Sequence, residues 1–396
     1  MTMTGNIAVI NAGSSSVKFA IFKASRTADI LFRGQIEGIG VAPRLTVKDA
    51  QGRTLAERTW PADGFGHDAA TREILTTGAS LVSGTPVIGI GHRVVHGGIK
   101  FGAPIRLNDD VLAELSKLVS LAPLHQPHNL APIRTIFDVA PHMPQVACFD
   151  TAFHRSQTHI AQSFALPRRF TEAGVRRYGF HGLSYDYLVS RLRALSPELA
   201  SGRVVMAHLG NGASLCAINE GRSVASTMGF TAVDGLMMGT RCGALDAGVL
   251  LYLMREHHLD ADAIEDLIYR QSGLLGVSGI SSDMRTLRAS SDASAIEAIR
   301  LFVYRIIRET GSMVAALGGL DALVFSGGIG ENDSATRAEV VEGCLWTGAV
   351  LDPERNVLGE GLISADTSRV PVWVIPTDEE RLIARYTMEV MDAGFS

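Results

Sequence analysis

The sequence predicts an α/β protein made of two related halves, and three observations support this. Short apolar runs ending in Gly, Ser, Asn or Asp alternate along the chain with longer stretches of helical periodicity, as expected of strands layered with helices. One strand–turn–strand unit occurs twice: NIAVI, NAGSSS, VKFAI over 6–21, and VVMAHL, GNGAS, LCAI over 204–218. In that echo Gly13 aligns with Gly212 and Ser15 with Ser214. The length of 396 residues fits two to three domains at roughly 100–200 residues each.

Composition removes several function classes. There are 36 Lys and Arg against 41 Asp and Glu, a net charge of −5, so the chain has no general electrostatic hold on nucleic acid or anionic membrane, and neither is expected as a partner. Hydrophobic residues make up 46% and charged residues 19%, enough apolar material for sizeable cores and too little charge for disorder. Glycine is frequent, 41 residues against 14 prolines, which points to tight turns and close backbone approaches rather than a linker. Cys148, Cys216, Cys242 and Cys344 lie far apart without a C-x-x-C pair, which reads as a reduced, cytoplasmic chain. The opening MTMTGN has no basic n-region and runs straight into an apolar strand, unlike a signal peptide. No run approaches the ~20 apolar residues of a membrane span.

Taken in order, the expected strands are the apolar runs within 7–16, 86–98, 145–153, 204–214, 321–332 and 370–380. Helices are expected over Ala261–Tyr269 and Ala293–Leu317, the second with Arg305, Arg308 and Glu309 facing outward. A boundary is expected near 151. The first lobe would be 1–151 plus a returning tail, 381–396, and the second 152–380.

The residues that could carry chemistry gather at strand ends, where such folds place their ligands. Three glycine-rich turns follow apolar strands: NAGSSSVK (11–18), HLGNGAS (208–214) and SGGIGEN (326–332). Glycine there lets main-chain N–H groups close on phosphate oxygens, and Lys18 adds a positive charge beside the first turn. The chain has no Gly-Lys dipeptide, so a Walker A loop is absent and ATP would be held by paired hairpins. Arg93, Arg241, Asp150 and Glu379 sit in glycine-rich or strand-end contexts. Charged groups there need a partner or a function. Each taken singly reads equally as a structural ion pair; together they fit neutralisation of a transferring phosphoryl group. Asn11 and Glu379 offer oxygen ligands to Mg²⁺. His92 and His96 lie on a strand, where residues four apart do not stack as on a helix, so zinc is disfavoured. His125, His181 and His208 read either as satisfied core histidines or as donors to phosphoryl oxygens, and Cys242 as a small packing residue.

NAGSSSVKF, GHRVVHGG, LAPLH, FDTAFH, YGFHG, AHLGNGAS, GLMMGTR, SGLLGVSGISSDMR, SGGIGEN and PTDEE together resemble the ordered motif series of the acetate kinases, from residue 11 to 380. The resemblance implies the acetate and sugar kinase/Hsc70/actin fold, two duplicated ribonuclease H-like lobes around a central cleft. It also implies a homodimer and reversible, Mg²⁺-dependent phosphoryl transfer from ATP to acetate, with Mn²⁺ able to replace Mg²⁺. Carried over by position, Asn11 and Glu379 match the metal site and Lys18 an ATP contact. His208, Leu209, Gly210, Asn211 and Gly212 match a nucleotide-binding stretch, as do Asp283, Met284 and Arg285, and Gly328, Ile329, Gly330, Glu331 and Asn332. Arg93 matches the acetate-contacting arginine, and Val95, Leu124 and Phe180 the methyl pocket. Asp150 matches the catalytic aspartate, and His181 and Arg241 the transition-state stabilisers. The chain departs from many relatives at Ala232, where they have Pro, in the HQPH segment (125–128) and at Leu183.

Physically, a carboxylate substrate is already ionised at neutral pH, so direct in-line transfer needs no base and has only charge repulsion to overcome. The alternatives are a propionate or broader short-chain acyl kinase and, from other classes, a sugar kinase or a non-catalytic ATPase of the same fold.

Overall fold

Strand β1 (Asn6–Ala12) is buried at every position except Asn11, which is half-buried. A strand covered on both faces reads as a continuous apolar run, which is why IAVI shows no alternation. In this computed structural model, which describes residues 4–82 and 84–393, β1 lies between antiparallel β2 (Ser16–Lys23) and parallel β6 (Val87–Val94). With β3 (Ile30–Glu37), β4 (Arg44–Asp49), β5 (Thr54–Thr59), β7 (Ile105–Arg106) and β8 (Gln145–Phe149) it forms a sheet of order β5-β4-β3-β2-β1-β6-β8-β7. Helix Glu379–Ala393 lies on β1 and β6. Its close approach requires glycine at residue 91, where a Cβ would stand 2.6 Å from Ile383 Cγ2 and against the Thr387 hydroxyl.

Contacts group residues up to Ala152, together with those from Asp378 onward, as one unit, and Phe153–Thr377 as a second. Glu379 therefore belongs with the first unit rather than inside a second lobe that runs to 380.

The second unit carries β9 (Arg203–Leu209), β10 (Ala213–Asn219), β11 (Arg222–Ser226), β12 (Ala322–Ser326), β13 (Gly361–Leu362) and β14 (Val372–Val374), in the order β11-β10-β9-β12-β14-β13. Five of its six strands, all but β13, repeat the first unit. β3-β2-β1 are antiparallel and β1-β6-β8 parallel, and likewise β11-β10-β9 are antiparallel and β9-β12-β14 parallel. The hairpin echo thus marks a duplicated sheet. The two turns differ by one residue: 13–16 separate the last pair Ala12↔Val17, whereas 210–212 separate Leu209↔Ala213. Ser15 consequently lies in a turn, while Ser214 lies in a strand opposite His208.

The third glycine-rich segment is a short helix rather than the expected turn. β12 runs directly into the helix Gly327–Asn332. Gly327 has φ 77°, and a Cβ there would press within 2.7 Å of the Leu209 carbonyl oxygen, so the junction requires glycine. The two expected helices occur as Ala261–Arg270 and Ala293–Leu317, each with an aspartate accepting from a first-turn N–H. Among the described residues no helix is long and apolar enough to cross a membrane.

Candidate active site

In the first unit, parallel neighbours β6 and β8 bring Arg93 and Asp150 to the same end of the sheet. Arg93 donates from Nη2 (2.6 Å) and Nε (3.1 Å) to the two oxygens of Asp150, and from Nη1 to Asn11 Oδ1 at 3.3 Å. Glu379 Oε2 lies 3.7 Å from Arg93 Nε. Asp150 is 1% exposed and its main-chain N–H donates to the Val94 carbonyl. Burial works to lower the Arg93 pKa, but the charges of Asp150 and then Glu379 raise it above its ordinary value, so the guanidinium stays charged. A guanidinium has five N–H groups; with three aimed at these oxygens, two remain to grip a further anion.

Lys18 stands directly across the β1–β2 ladder from Asn11, which puts its amine on the same face. Next to Glu379, Glu380 has its carboxyl pKa raised, first by burial and then by Asp378 and Glu379, against the opposing charges of Arg33 and Lys18. Among the described residues no group of three or more His, Cys, Asp or Glu is arranged to cage a metal ion. The oxygens of Asn11 and Glu379 still fit Mg²⁺, which prefers oxygen, keeps several waters and takes the rest of its shell from phosphates. Val95 is buried and its N–H donates to Asn129 Oδ1 at 2.9 Å. Asn129 in turn donates to the Ala12 carbonyl at 2.6 Å, tying the segment after Arg93 to the segment after Asn11. Leu124 is half-buried ahead of the helix Gln126–Val139.

In the second unit, His181 precedes the helix Gly182–Leu195 in the left-handed region, φ 56°. Its Nδ1 lies 2.9 Å from Ser214 Oγ and its ring centroid 4.3 Å from that of His208. A Cβ built on Gly212 would be 3.2 Å from His181 Nε2 and 3.7 Å from Arg241 Nη1. Both side chains therefore converge on the second glycine turn, and only a residue without a side chain leaves that space open. Arg241 is steadied by donating from Nη1 to the Ala232 carbonyl at 2.8 Å, and its loop by the bond from Gly239 N–H to the Asn211 carbonyl at 3.0 Å.

Beside this turn is a hollow of about 870 Å³ lined by Gly210, Asn211, Ser282, Asp283, Met284, Arg285, Arg288, Gly328, Ile329, Asn332 and Asp333. It joins the three stretches expected to bind nucleotide, which are far apart in sequence. Sequence reasoning missed Ser282, Arg288 and Asp333, although Arg288 follows Arg285 at helical spacing. Several expected contacts sit elsewhere. Leu209 is buried in β9 and Gly330 packs behind it. Glu331 Oε1 accepts from Gly327 N–H (2.8 Å) and Thr377 N–H (3.1 Å), and so braces the junction. Phe180 is 2% exposed and its carbonyl bonds His154 Nε2 at 2.9 Å. His92 bonds Gln145 at 2.8 Å inside the first sheet. Burial raises the Cys242 thiol pKa, which keeps it protonated and a poor nucleophile.

Two units with one sheet topology, each with a glycine turn beside cationic side chains, define a phosphotransferase of the actin-like fold. The chain belongs to the acetokinase family, whose description matches residues 6–385. It is 52% identical to the acetate kinase of Rhodopseudomonas palustris over 99% of this chain and 100% of that one, and 51% identical to that of Methylocella silvestris over 98% and 99%. Among solved structures, it matches Porphyromonas gingivalis acetate kinase with a TM-score of 0.87 at 36% identity, covering 98% of this chain and 100% of the other. A propionate kinase from Francisella tularensis matches with a TM-score of 0.90 at 33% identity, over the same shares.

Burial pushes His92, His96 and His154 down from 6.5 to about 4. Between those values the unfolded chain takes up protons that the folded one refuses, so stability falls as pH drops from about 6.5 towards 4. Going from pH 7 to pH 5 is expected to cost about 2 kcal/mol per histidine, read as falling urea midpoints at constant m-value.

Proposed function

We propose that the chain is an acetate kinase, which reversibly transfers the γ-phosphoryl group of ATP to acetate, giving acetyl phosphate and ADP, with Mg²⁺. The observation that carries the phosphoryl-transfer reading is the convergence of His181 Nε2 and Arg241 Nη1 on Gly212. The relatives named acetate kinase support the choice of acid.

Acetate arrives ionised, so no general base is required; the barrier is an anion approaching a polyanion. The two remaining N–H groups of Arg93 would grip and aim the carboxylate, with Val95 and Leu124 as the apolar surround of its methyl group. Asp150, which holds Arg93 by both oxygens, acts by positioning. The hollow beside Gly210 and Asn211 would take the nucleotide, with Lys18 as a further phosphate contact. Arg241 and His181 would stabilise charge on the equatorial oxygens of an in-line displacement. Mg²⁺, held by Asn11 and Glu379, would neutralise phosphate charge. The four cysteines form no disulfide, which suits work in the cytoplasm.

A propionate kinase is the second reading, favoured by the Francisella structure. One methylene is worth only about 1–3 kcal/mol in a pocket, and Ala232 lies in the loop that Arg241 bonds. We further infer a homodimer. The helix Ala247–Glu256 has no buried residue, yet Val249, Leu251, Tyr252 and Met254 are 38–56% exposed on more than one side of it, apolar surface suited to a second copy.

Trapping acyl phosphate with hydroxylamine in Mg-ATP is expected to give a kcat/KM for acetate at least about tenfold above propionate. Comparable or higher propionate turnover would establish the second reading, and no product with any acid would end both. Arg241→Ala is expected to lower kcat by about 10²–10³; a variant within a few-fold of wild type would remove Arg241 from the mechanism. Sedimentation should show a dimer that Leu251→Asp with Tyr252→Glu dissociates, and a monomeric wild-type chain would refute the interface.

A further inference from the structure

His181 is backed by a relay that the reaction as described does not use. Ser214 Oγ lies 2.9 Å from His181 Nδ1 and 2.5 Å from the Tyr185 hydroxyl. Ser214 and Tyr185 are both fully buried. Tyr185 follows His181 by one helical turn, and its N–H donates to the His181 carbonyl at 3.1 Å. The helix thus presents both side chains to a single residue of β10.

We propose that Tyr185 and Ser214 are positioning residues that hold neutral His181 with its ring proton on Nε2, so that an N–H donor faces the turn Gly210–Gly212. This rests on the reading that the turn receives the transferring phosphoryl group.

The direction of the relay follows from proton counting. Burial raises the Tyr185 pKa well above 10.0, so the phenol keeps its proton at neutral pH. An acceptor within reach of that proton is Ser214 Oγ, 2.5 Å away. A serine hydroxyl has one proton of its own. With the phenol's proton arriving, Ser214 spends its own on His181 Nδ1, and a nitrogen that accepts carries no proton in the neutral ring. The proton is then on Nε2, the atom nearest Gly212. The turn length matters here: with three residues in the turn rather than four, Ser214 enters the strand as a fixed ladder residue.

The test uses the full-length chain labelled with ¹⁵N-histidine, without nucleotide, in long-range ¹H–¹⁵N correlation spectra, with the His181 signals assigned by their loss in His181→Gln. Wild type should show Nε2–H and a hydrogen-bonded Nδ1. Ser214→Ala should move the Nδ1 resonance and lower kcat about three- to tenfold, the range for one lost hydrogen bond, with KM for acetate and ATP unchanged. Ser214→Thr, which restores the hydroxyl, should recover both. Tyr185→Phe keeps the ring packing and should move the same resonance, so the relay stays testable if Ser214→Ala fails to fold. A wild-type Nδ1–H signal, or a resonance unmoved in both variants, would overturn the proposal. A moved resonance with unchanged kcat would support the relay and count instead against His181 as a phosphoryl contact.

Discussion

A carboxylate as deeply buried as Asp150 can be kept in a sheet only with a cation such as the half-buried Arg93 beside it. Losing either partner of such a pair leaves a stranded charge and costs about 3–5 kcal/mol. Arg93 and Asp150 meet because β6 and β8 are parallel neighbours in register, and helix Glu379–Ala393 packs on β1 and β6 of the same sheet. The pair in turn fixes where Asn11 and Glu379 can lie, since both point oxygens at the same guanidinium. One charge in a low-dielectric place organises residues from four distant parts of the chain.

The duplicated sheet has been put to different uses. In the first unit the strand ends gather opposite charges around Arg93; in the second, the corresponding region gathers hydrogen-bond donors around an open glycine. His181 and His208 each rest on a serine, Ser214 and Ser184, and Ser184 passes the chain on to Thr377 at 2.9 Å. Buried hydroxyls in series fix rings that would otherwise be free to change tautomer.

Much of this was readable in the sequence because it is written locally. Strand, Gly-Ser turn and strand are neighbours in the chain, so the paired hairpins of 6–21 and 204–218 stood out. The helix Ala293–Leu317 was legible through its periodicity, and the structure closes its ends with Asp292 and Gly318. The helix at Gly327–Asn332 was not, because its glycine-rich sequence carries turn propensity and only packing against Leu209 decides its path. Glu331 looked like a ligand contact because its partner, Thr377, is remote in sequence. Leu209 and Phe180 sit inside motifs that matter while their own side chains serve the core. The Tyr185–Ser214 relay left one trace, the four-residue spacing of His181 and Tyr185, but its third member lies on another strand.

Glu379 is the first residue of the helix that closes the first sheet, which has consequences for how the protein is made. A ribosome that has finished β8 has still to produce the whole of Phe153–Thr377 before that helix emerges. At 5–20 residues per second this takes roughly ten to fifty seconds. During that interval the notch at Gly89 and Gly91, shaped to receive Met391, Thr387 and Ile383, stands uncovered, and Arg93 lacks one of its two carboxylate neighbours. The second unit can complete its own sheet meanwhile, so a nascent chain would acquire its glycine turn and hollow before the cluster around Arg93 is complete. Premature termination anywhere before Glu379 would release a chain with an open apolar face, a species for chaperones and proteases rather than a partly active enzyme.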